Sequence, residues 1–235
     1  MATFVLVHGA WGGGLIWRDI ARALRRSGHE VYAPTLTGLG ERRHLMTRDV
    51  NLSTHVRDVS SLLEYEDLRD VVLVGHSYGG MVVTGAADAM PERIASLVYL
   101  DAFVPRDGQA LFDLIPSGVP RPATVAGSDW LTAPLPPEVF GAVNAAIRDF
   151  TERKSGPQPT ACFSEPLRIA GAVDRVRHRT YIYCNDPHPT TFTHFYDALR
   201  TRPEWTVRTL ACGHIAQLDR PEELTALLVR AVPGT

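Results

Sequence analysis

Short, nearly unbroken apolar runs recur along the chain, separated by longer stretches whose apolar residues return every three or four positions. The runs are "TFVLV" (3–7), "EVYAP" (30–34), "VVLVG" (71–75), "SLVYLD" (96–101), "TYIYC" (180–184) and "TVRTL" (206–210). Their continuous rather than alternating apolar character predicts strands buried on both faces, as in a parallel sheet. The stretches between them predict helices. In "LIWRDIARALRRSG" (15–28), Ile16, Ile20, Ala23 and Leu24 share one face and Gly28 ends the helix. Residues 52–66, 80–90, 191–202 and 221–232 have the same spacing, the last with Pro221 in its first turn. Strand and helix alternate, which predicts an α/β fold with a mostly parallel sheet flanked by helices.

One region interrupts the alternation. Ten of the seventeen prolines fall between Pro105 and Pro166, interleaved with Phe112, Trp130, Phe140, Phe150 and Phe163. Proline at that density rules out long regular elements, and a structureless loop of such length is unusual. We therefore expect one domain spanning 1–235, with residues 105–178 inserted as a short-helix cap or lid. A surface excursion with its own small core is the competing reading.

Composition narrows the partners. With 235 residues, 45% of them hydrophobic, and a net charge of -2, the chain is sized for one globular domain and has no basic footprint for nucleic acid or anionic membranes. The apolar run at the N-terminus lacks a basic leader and is too short to span a bilayer. Cys162, Cys184 and Cys212 make no CxxC pair, and the nine histidines make no HExxH or HxH pair. The expectation is a cytoplasmic protein with reduced thiols and no metal. It has a small-molecule partner, touches neither nucleic acid nor membrane, and is a monomer or homodimer.

The chemistry begins at "VVLVGHSYGGMVV" (71–83). Gly75-His76-Ser77-Tyr78-Gly79 fits G-x-S-x-G between a strand and a helix, the setting of a nucleophile elbow. A serine hydroxyl needs a base, and His214 in "LACGHIAQLDRPEEL" follows the last strand and precedes the last helix, at the same sheet edge. An acyl-transfer oxyanion needs two donors. The Tyr78 N–H supplies one, and in "HGAWGGG" (8–14) Ala10 N–H is the first choice for the other, with Trp11 second. His8 is read with Gly9 as holding that loop, and His76 as pointing away from the pocket. His29, His44, His55, His178, His188 and His194 are read as structural or solvent-exposed.

"FVLVHGAW", the serine turn and the late "GH" resemble the α/β-hydrolase superfamily. Within it, the chain is similar to the esterase and hydroxynitrile-lyase group that includes plant salicylate methylesterases. "YAPTLTGLGERRHL" and "LVYLDAFVPRDGQ" resemble its bacterial esterases most. The resemblance implies a Ser–acid–His triad, no cofactor, and hydrolysis of small carboxylic esters. The group's lyases carry threonine or asparagine where Gly9 stands, and one type has a lysine where Ile215 stands, so hydrolysis is the preferred reaction. For the acid, Asp186 follows the strand used by most relatives, one residue short of the motif position, Pro187. Asp101 ends the strand used by dehalogenase-type relatives, and it is preferred.

Trp11, Tyr78, Phe103, Trp130 and Phe140 are candidates for lining a substrate pocket, with plain core packing as the competing explanation. Cys212 is read as a small buried hydrophobe in preference to a redox group, and Arg42, Arg43 and His44, after a glycine-rich loop, as solvated residues, with contact to an acidic substrate as the alternative. The expectation is a serine hydrolase acting through an acyl-enzyme. The alternatives are a C–C lyase of the hydroxynitrile type and a ligand-binding homologue without turnover.

Overall fold

The structure is a computed structural model that describes residues 1–119, 121–141, 144–186 and 190–234. Pro120, Pro187 and His188 lie outside the described residues. Eight strands are present among the described residues: β1 (Thr3–Val7), β2 (Glu30–Tyr32), β3 (Val71–His76), β4 (Ile94–Leu100), β5 (Leu131–Thr132), β6 (Gln158–Pro159), β7 (His178–Cys184) and β8 (Trp205–Leu210). Six form one parallel sheet in the order β2-β1-β3-β4-β7-β8, and β5 and β6 pair antiparallel. β2 is shorter than expected, because Pro34 has no N–H to continue the ladder.

The helices are α1 (Arg18–Arg26), α2 (Leu52–Tyr65), α3 (Gly79–Ala89), α4 (Leu111–Leu114), α5 (Ala145–Lys154), α6 (Ala161–Ser164), α7 (Thr193–Leu199), α8 (Ala216–Asp219) and α9 (Pro221–Val229). Val5, Val7, Leu73, Tyr99 and Tyr181 pack toward α2, α3 and α7. The alternating residues Phe4, Leu6, Val74, Val98 and Ile182 pack toward α1 and α9. Period-2 alternation is therefore real, but both faces are covered, so the strands read as continuous apolar runs. No helix among the described residues is long and apolar enough to cross a membrane.

Between β4 and β7 the chain makes only short elements. The longest, α5, occupies a proline-free stretch and is capped by the Asn144 side chain, which accepts the Ile147 N–H at 2.9 Å. The segment is tied down near its C-terminal end. Glu165 accepts from the Ser53 N–H and hydroxyl at 2.8 and 2.7 Å, and Asp88 accepts the N–H groups of Ala170 and Val173 at 2.7 and 2.9 Å.

Strand order sets the site. From β1 the chain first builds outward to β2 and then returns to the other side at β3. The carboxyl ends of β1 and β3 thus flank the switch point where ligands enter open α/β sheets. At this junction α3 lies directly on the loop after β4, and a Cβ on Gly80 would fall 2.1 Å from the Phe103 carbonyl oxygen. Gly80→Ala should therefore lose about 3 kcal/mol in urea unfolding. Gly156→Ala, with no atom within 4 Å of the added Cβ, should stay within about 0.5 kcal/mol of wild type. Equal stabilities for the two variants would refute the packing assigned to α3.

Candidate active site

Three non-glycine residues take left-handed backbone conformations at the carboxyl ends of neighbouring strands: Trp11 after β1 (φ 62), Ser77 after β3 (φ 54) and Asp101 after β4 (φ 40). Asp67 and Asp70, before β3, are the other such residues among those described. Each costs on the order of 1–3 kcal/mol and persists only where the surroundings impose it. At Ser77 they do. Its N–H donates to the Leu100 carbonyl at 3.2 Å, and its own carbonyl accepts from Gly80 at 3.0 Å and Phe103 at 3.2 Å. Gly75 and Gly79 flank it where a Cβ would press on Val83 and on the His8 carbonyl.

His214 lies in the loop between β8 and α8. Its Nδ1–H donates to Asp101 Oδ2 at 2.7 Å, and Asp101 Oδ1 accepts the Cys184 N–H at 3.2 Å. Asp101 is 1% exposed and the His214 side chain 9%. Burial lowers the His214 pKa to about 3. Burial also pushes the Asp101 carboxyl well above the usual carboxylate range, against the Cys184 N–H, which favours its charged form. With Nδ1–H committed to Asp101, the basic nitrogen of the neutral ring is Nε2.

Aromatic rings fix the imidazole plane. Phe192 stacks on it at 4.9 Å and 7°, Phe140 at 5.5 Å and 16°. His76, expected to point away from the pocket, instead lies against His214 with ring centroids 4.6 Å apart. Its Nε2–H donates to the His214 carbonyl at 2.9 Å, which is why the ring turns inward. The His214 N–H in turn donates to the Phe140 carbonyl at 2.8 Å.

The carboxylate that meets the imidazole is thus that of Asp101. Asp186 is exposed on a cavity wall, its backbone N–H donating to the Cys212 carbonyl at 3.0 Å. Among the described residues, no acceptor is found for the N–H groups of Ala10 and Tyr78. The Trp11 N–H, the second-choice donor, is committed elsewhere: it donates to the buried Gln158 Oε1 at 2.8 Å. His8 holds the loop as expected. Its Nδ1–H donates to the Gly9 carbonyl at 2.7 Å, and its Nε2 accepts the Leu36 N–H at 3.0 Å. A Cβ on Gly9 would lie 3.0 Å from Ser77 Cβ, so the loop is drawn tight against the serine. The Tyr78 phenol is buried and donates to His55 Nδ1 at 2.8 Å, while His55 Nε2–H donates to the Thr37 carbonyl at 2.9 Å.

Two cavities meet at Ser77, sharing Ala10, Trp11, Leu135, Phe140 and His214 as walls. The larger, about 470 Å³, is mainly apolar, with Phe103, Leu111, Ile115, Phe163 and Phe192. The smaller, about 360 Å³, runs along the glycine-rich loop to Glu41, Arg43 and Lys154. Trp130 lines neither. The Arg48 guanidinium, paired with Asp129, covers its ring at 5.5 Å and holds it on the outer side of the insertion. Phe192, Leu135 and Gln158 were missed from the sequence, where nothing local distinguishes them.

Residues 4–227 match the Alpha/beta hydrolase family, and the chain belongs to that family. A carbendazim hydrolyzing esterase from Nocardioides sp. (strain SG-4G) is 45% identical over 239 residues, covering 97% of this chain and 98% of that protein. Methylesterase 10 of Arabidopsis thaliana is 25% identical, covering 96% of this chain and 90% of its own. Among solved structures, an extracellular alpha/beta-hydrolase from a Paenibacillus species superposes with a TM-score of 0.81 at 25% identity, over 99% of this chain and 100% of that one. It is described as a structural and functional homologue of Tobacco Salicylic Acid Binding Protein 2. The esterase resemblance read from the sequence is matched by these relatives.

Burial keeps four histidines of this region neutral: it lowers the pKa of His8 to about 4 and of His214 to about 3, and depresses those of His55 and His76. Each takes up a proton on unfolding, so its contribution is complete above the ordinary histidine value and is lost as pH falls toward the folded value. For His8 alone the loss at about pH 5 is ~2 kcal/mol. The raised Asp101 carboxyl acts the other way, its contribution being lost as pH rises through its folded value, but it is one group against four histidines, so urea unfolding should show lower stability at about pH 5 than at about pH 7.5. Unchanged or higher stability on acidification would contradict the neutral, buried state of these rings.

Proposed function

We propose that the protein is a serine esterase that hydrolyses small carboxylic esters through an acyl-enzyme, with Ser77, His214 and Asp101 as its triad. The observation that carries this reading is the 2.7 Å contact between the His214 and Asp101 side chains beside the strained serine. His214 Nε2 takes the proton of Ser77 Oγ as Oγ bonds to the ester carbonyl carbon. The oxyanion accepts hydrogen bonds from Ala10 and Tyr78 N–H, and Asp101 stabilises the imidazolium. The imidazolium then protonates the departing alcohol oxygen. Water, deprotonated by the same nitrogen, attacks the acyl carbon. The carbon–Oγ bond breaks, Oγ regains its proton and the carboxylic acid leaves.

Residues 105–178 act as the cap of a single domain. Leu111, Ile115, Phe140 and Phe163, all from this segment, wall the larger cavity. Together with Trp11 and Phe103 they receive the apolar half of the ester, and the smaller cavity receives the other half. Gly9 and Ile215 give Ser77 neither hydroxyl, amide nor ammonium for a cyanohydrin, which favours hydrolysis over C–C cleavage. The three buried, free thiols fit a cytoplasmic setting, and the near-neutral surface fits a protein that binds neither nucleic acid nor membrane, as a monomer or homodimer.

The test is hydrolysis of a p-nitrophenyl ester series from acetate to octanoate, with carbendazim added because of the 45% identical relative. Ser77→Ala should lower kcat by at least about 10³-fold and Asp101→Asn by about 10²- to 10⁴-fold. Asp186→Asn should change it little. A large loss in Asp186→Asn with an active Asp101→Asn would transfer the acid role to Asp186. Equal inactivity of wild type and Ser77→Ala on every ester would leave ligand binding as the function, and cyanide release from mandelonitrile alone would make the protein a lyase.

A further inference from the structure

The insertion does more than wall the cavity: it grips the loop that carries the Ala10 donor. Trp11 is the residue after Ala10 and holds a left-handed conformation, φ 62, which an L-residue with a large side chain avoids unless it is held. Both of its backbone polar groups are taken by one short segment of the insertion. The Trp11 N–H donates to Gln158 Oε1 at 2.8 Å, and the Trp11 carbonyl accepts the Gly156 N–H at 3.0 Å. Gln158 is fully buried and sits on β6, paired with Thr132 of β5. Its Nε2 has no oxygen or nitrogen acceptor among the described residues and faces only the Cys162 thiol, a weak one. A buried amide with a strong bond only at its oxygen is costly to keep, so its acceptor role is where its value lies.

From this arrangement we infer that Gln158 is a positioning residue for the oxyanion hole. By fixing the Ala10–Trp11 peptide, it holds Ala10 N–H toward Ser77 and keeps Trp11 N–H out of the site. Donors aimed in advance at the developing negative charge help only when their direction is fixed before reaction. Without the Gln158 oxygen, the strained residue relaxes and the Ala10 donor turns with it. The site therefore works with two donors rather than three, and their geometry depends on the insertion.

The inference rests on the esterase reading. The experiment compares Gln158→Leu, which removes the acceptor, with Gln158→Glu, whose carboxyl, held neutral by burial at this fully buried position, keeps an acceptor oxygen and puts a hydroxyl where the amide nitrogen was. Turnover of a p-nitrophenyl ester is measured with inhibition by a trifluoromethyl ketone, whose hemiketal oxyanion occupies the hole, and by the product acid, which does not need it. Gln158→Leu should lower kcat by about 10- to 100-fold with KM nearly unchanged. It should weaken the ketone by a similar factor, leave product-acid inhibition alone, and be largely rescued in Gln158→Glu.

A folded Gln158→Leu enzyme with wild-type kcat and ketone affinity would overturn the inference and leave the esterase reading intact. So would equal weakening of ketone and product acid, or failure of Gln158→Leu and Gln158→Ala to fold, each of which marks a structural role. Absence of Ser77-dependent turnover in wild type would instead overturn the esterase reading, and this inference with it.

Discussion

The hydrogen bond from His214 Nδ1 to Asp101 Oδ2 closes a circuit on which the rest of the site depends. Asp101 can reach the imidazole only because the chain turns left-handed at the end of β4, and that turn is held by Asp101 N–H donating to Ile182 of β7 at 2.7 Å. Its second carboxylate oxygen is fixed by the Cys184 N–H, again from β7. Ser77 is anchored to the end of β4 through the Leu100 carbonyl, and the His214 loop follows β8. Parallel strands ending at one edge are what bring these groups together. The bond that joins them also orients the single basic nitrogen.

The groups behind Ser77 are buried, and burial has two consequences. It strengthens the hydrogen bonds and dipoles among them, because a low-dielectric surrounding screens them little. It also makes charge expensive, so His8, His55, His76 and His214 are all driven toward neutrality by burial. Three of these rings serve as neutral hydrogen-bonding struts: His8 on the glycine-rich loop, His55 beneath Tyr78 and His76 behind His214. Neutral imidazole suits this work, since one nitrogen donates and the other accepts without a counter-ion.

The architecture was largely readable from periodicity, because strands buried on both faces and amphipathic helices leave distinct patterns. All six sheet strands and the five long helices expected appear, with ends shifted by a few residues. Ser77 and His214 were readable too, since an elbow and a late loop histidine are set by local sequence around a known chain order. The contact of Asp101 rather than Asp186 with His214 is different in kind. Both end strands, and only the three-dimensional path of the loop after β8 decides which carboxylate the ring meets. Trp130 misled because an aromatic in a proline-rich segment looks the same whether it faces a cavity or an arginine outside it. Phe192 and Gln158 had no signal at all, as each gets its place from a partner far away in sequence.

The insertion therefore carries two constraints that pull against each other. Its side chains wall the larger cavity, the proposed seat of the ester's apolar half, so under that proposal changing them is the direct route to a different ester. Its backbone and Gln158 grip Trp11, so moving it disturbs the loop that bears Ala10. The two are separable only because they lie on different parts of the segment. Leu111, Ile115 and Phe140 face the cavity from α4 and from the turn before α5, whereas Gly156 and Gln158 lie after α5, stapled to β5. Specificity can thus drift at the first group while the second holds still. A segment of short elements, pinned at Glu165 and Asp88, suits that division, since each short piece can repack without carrying the others along.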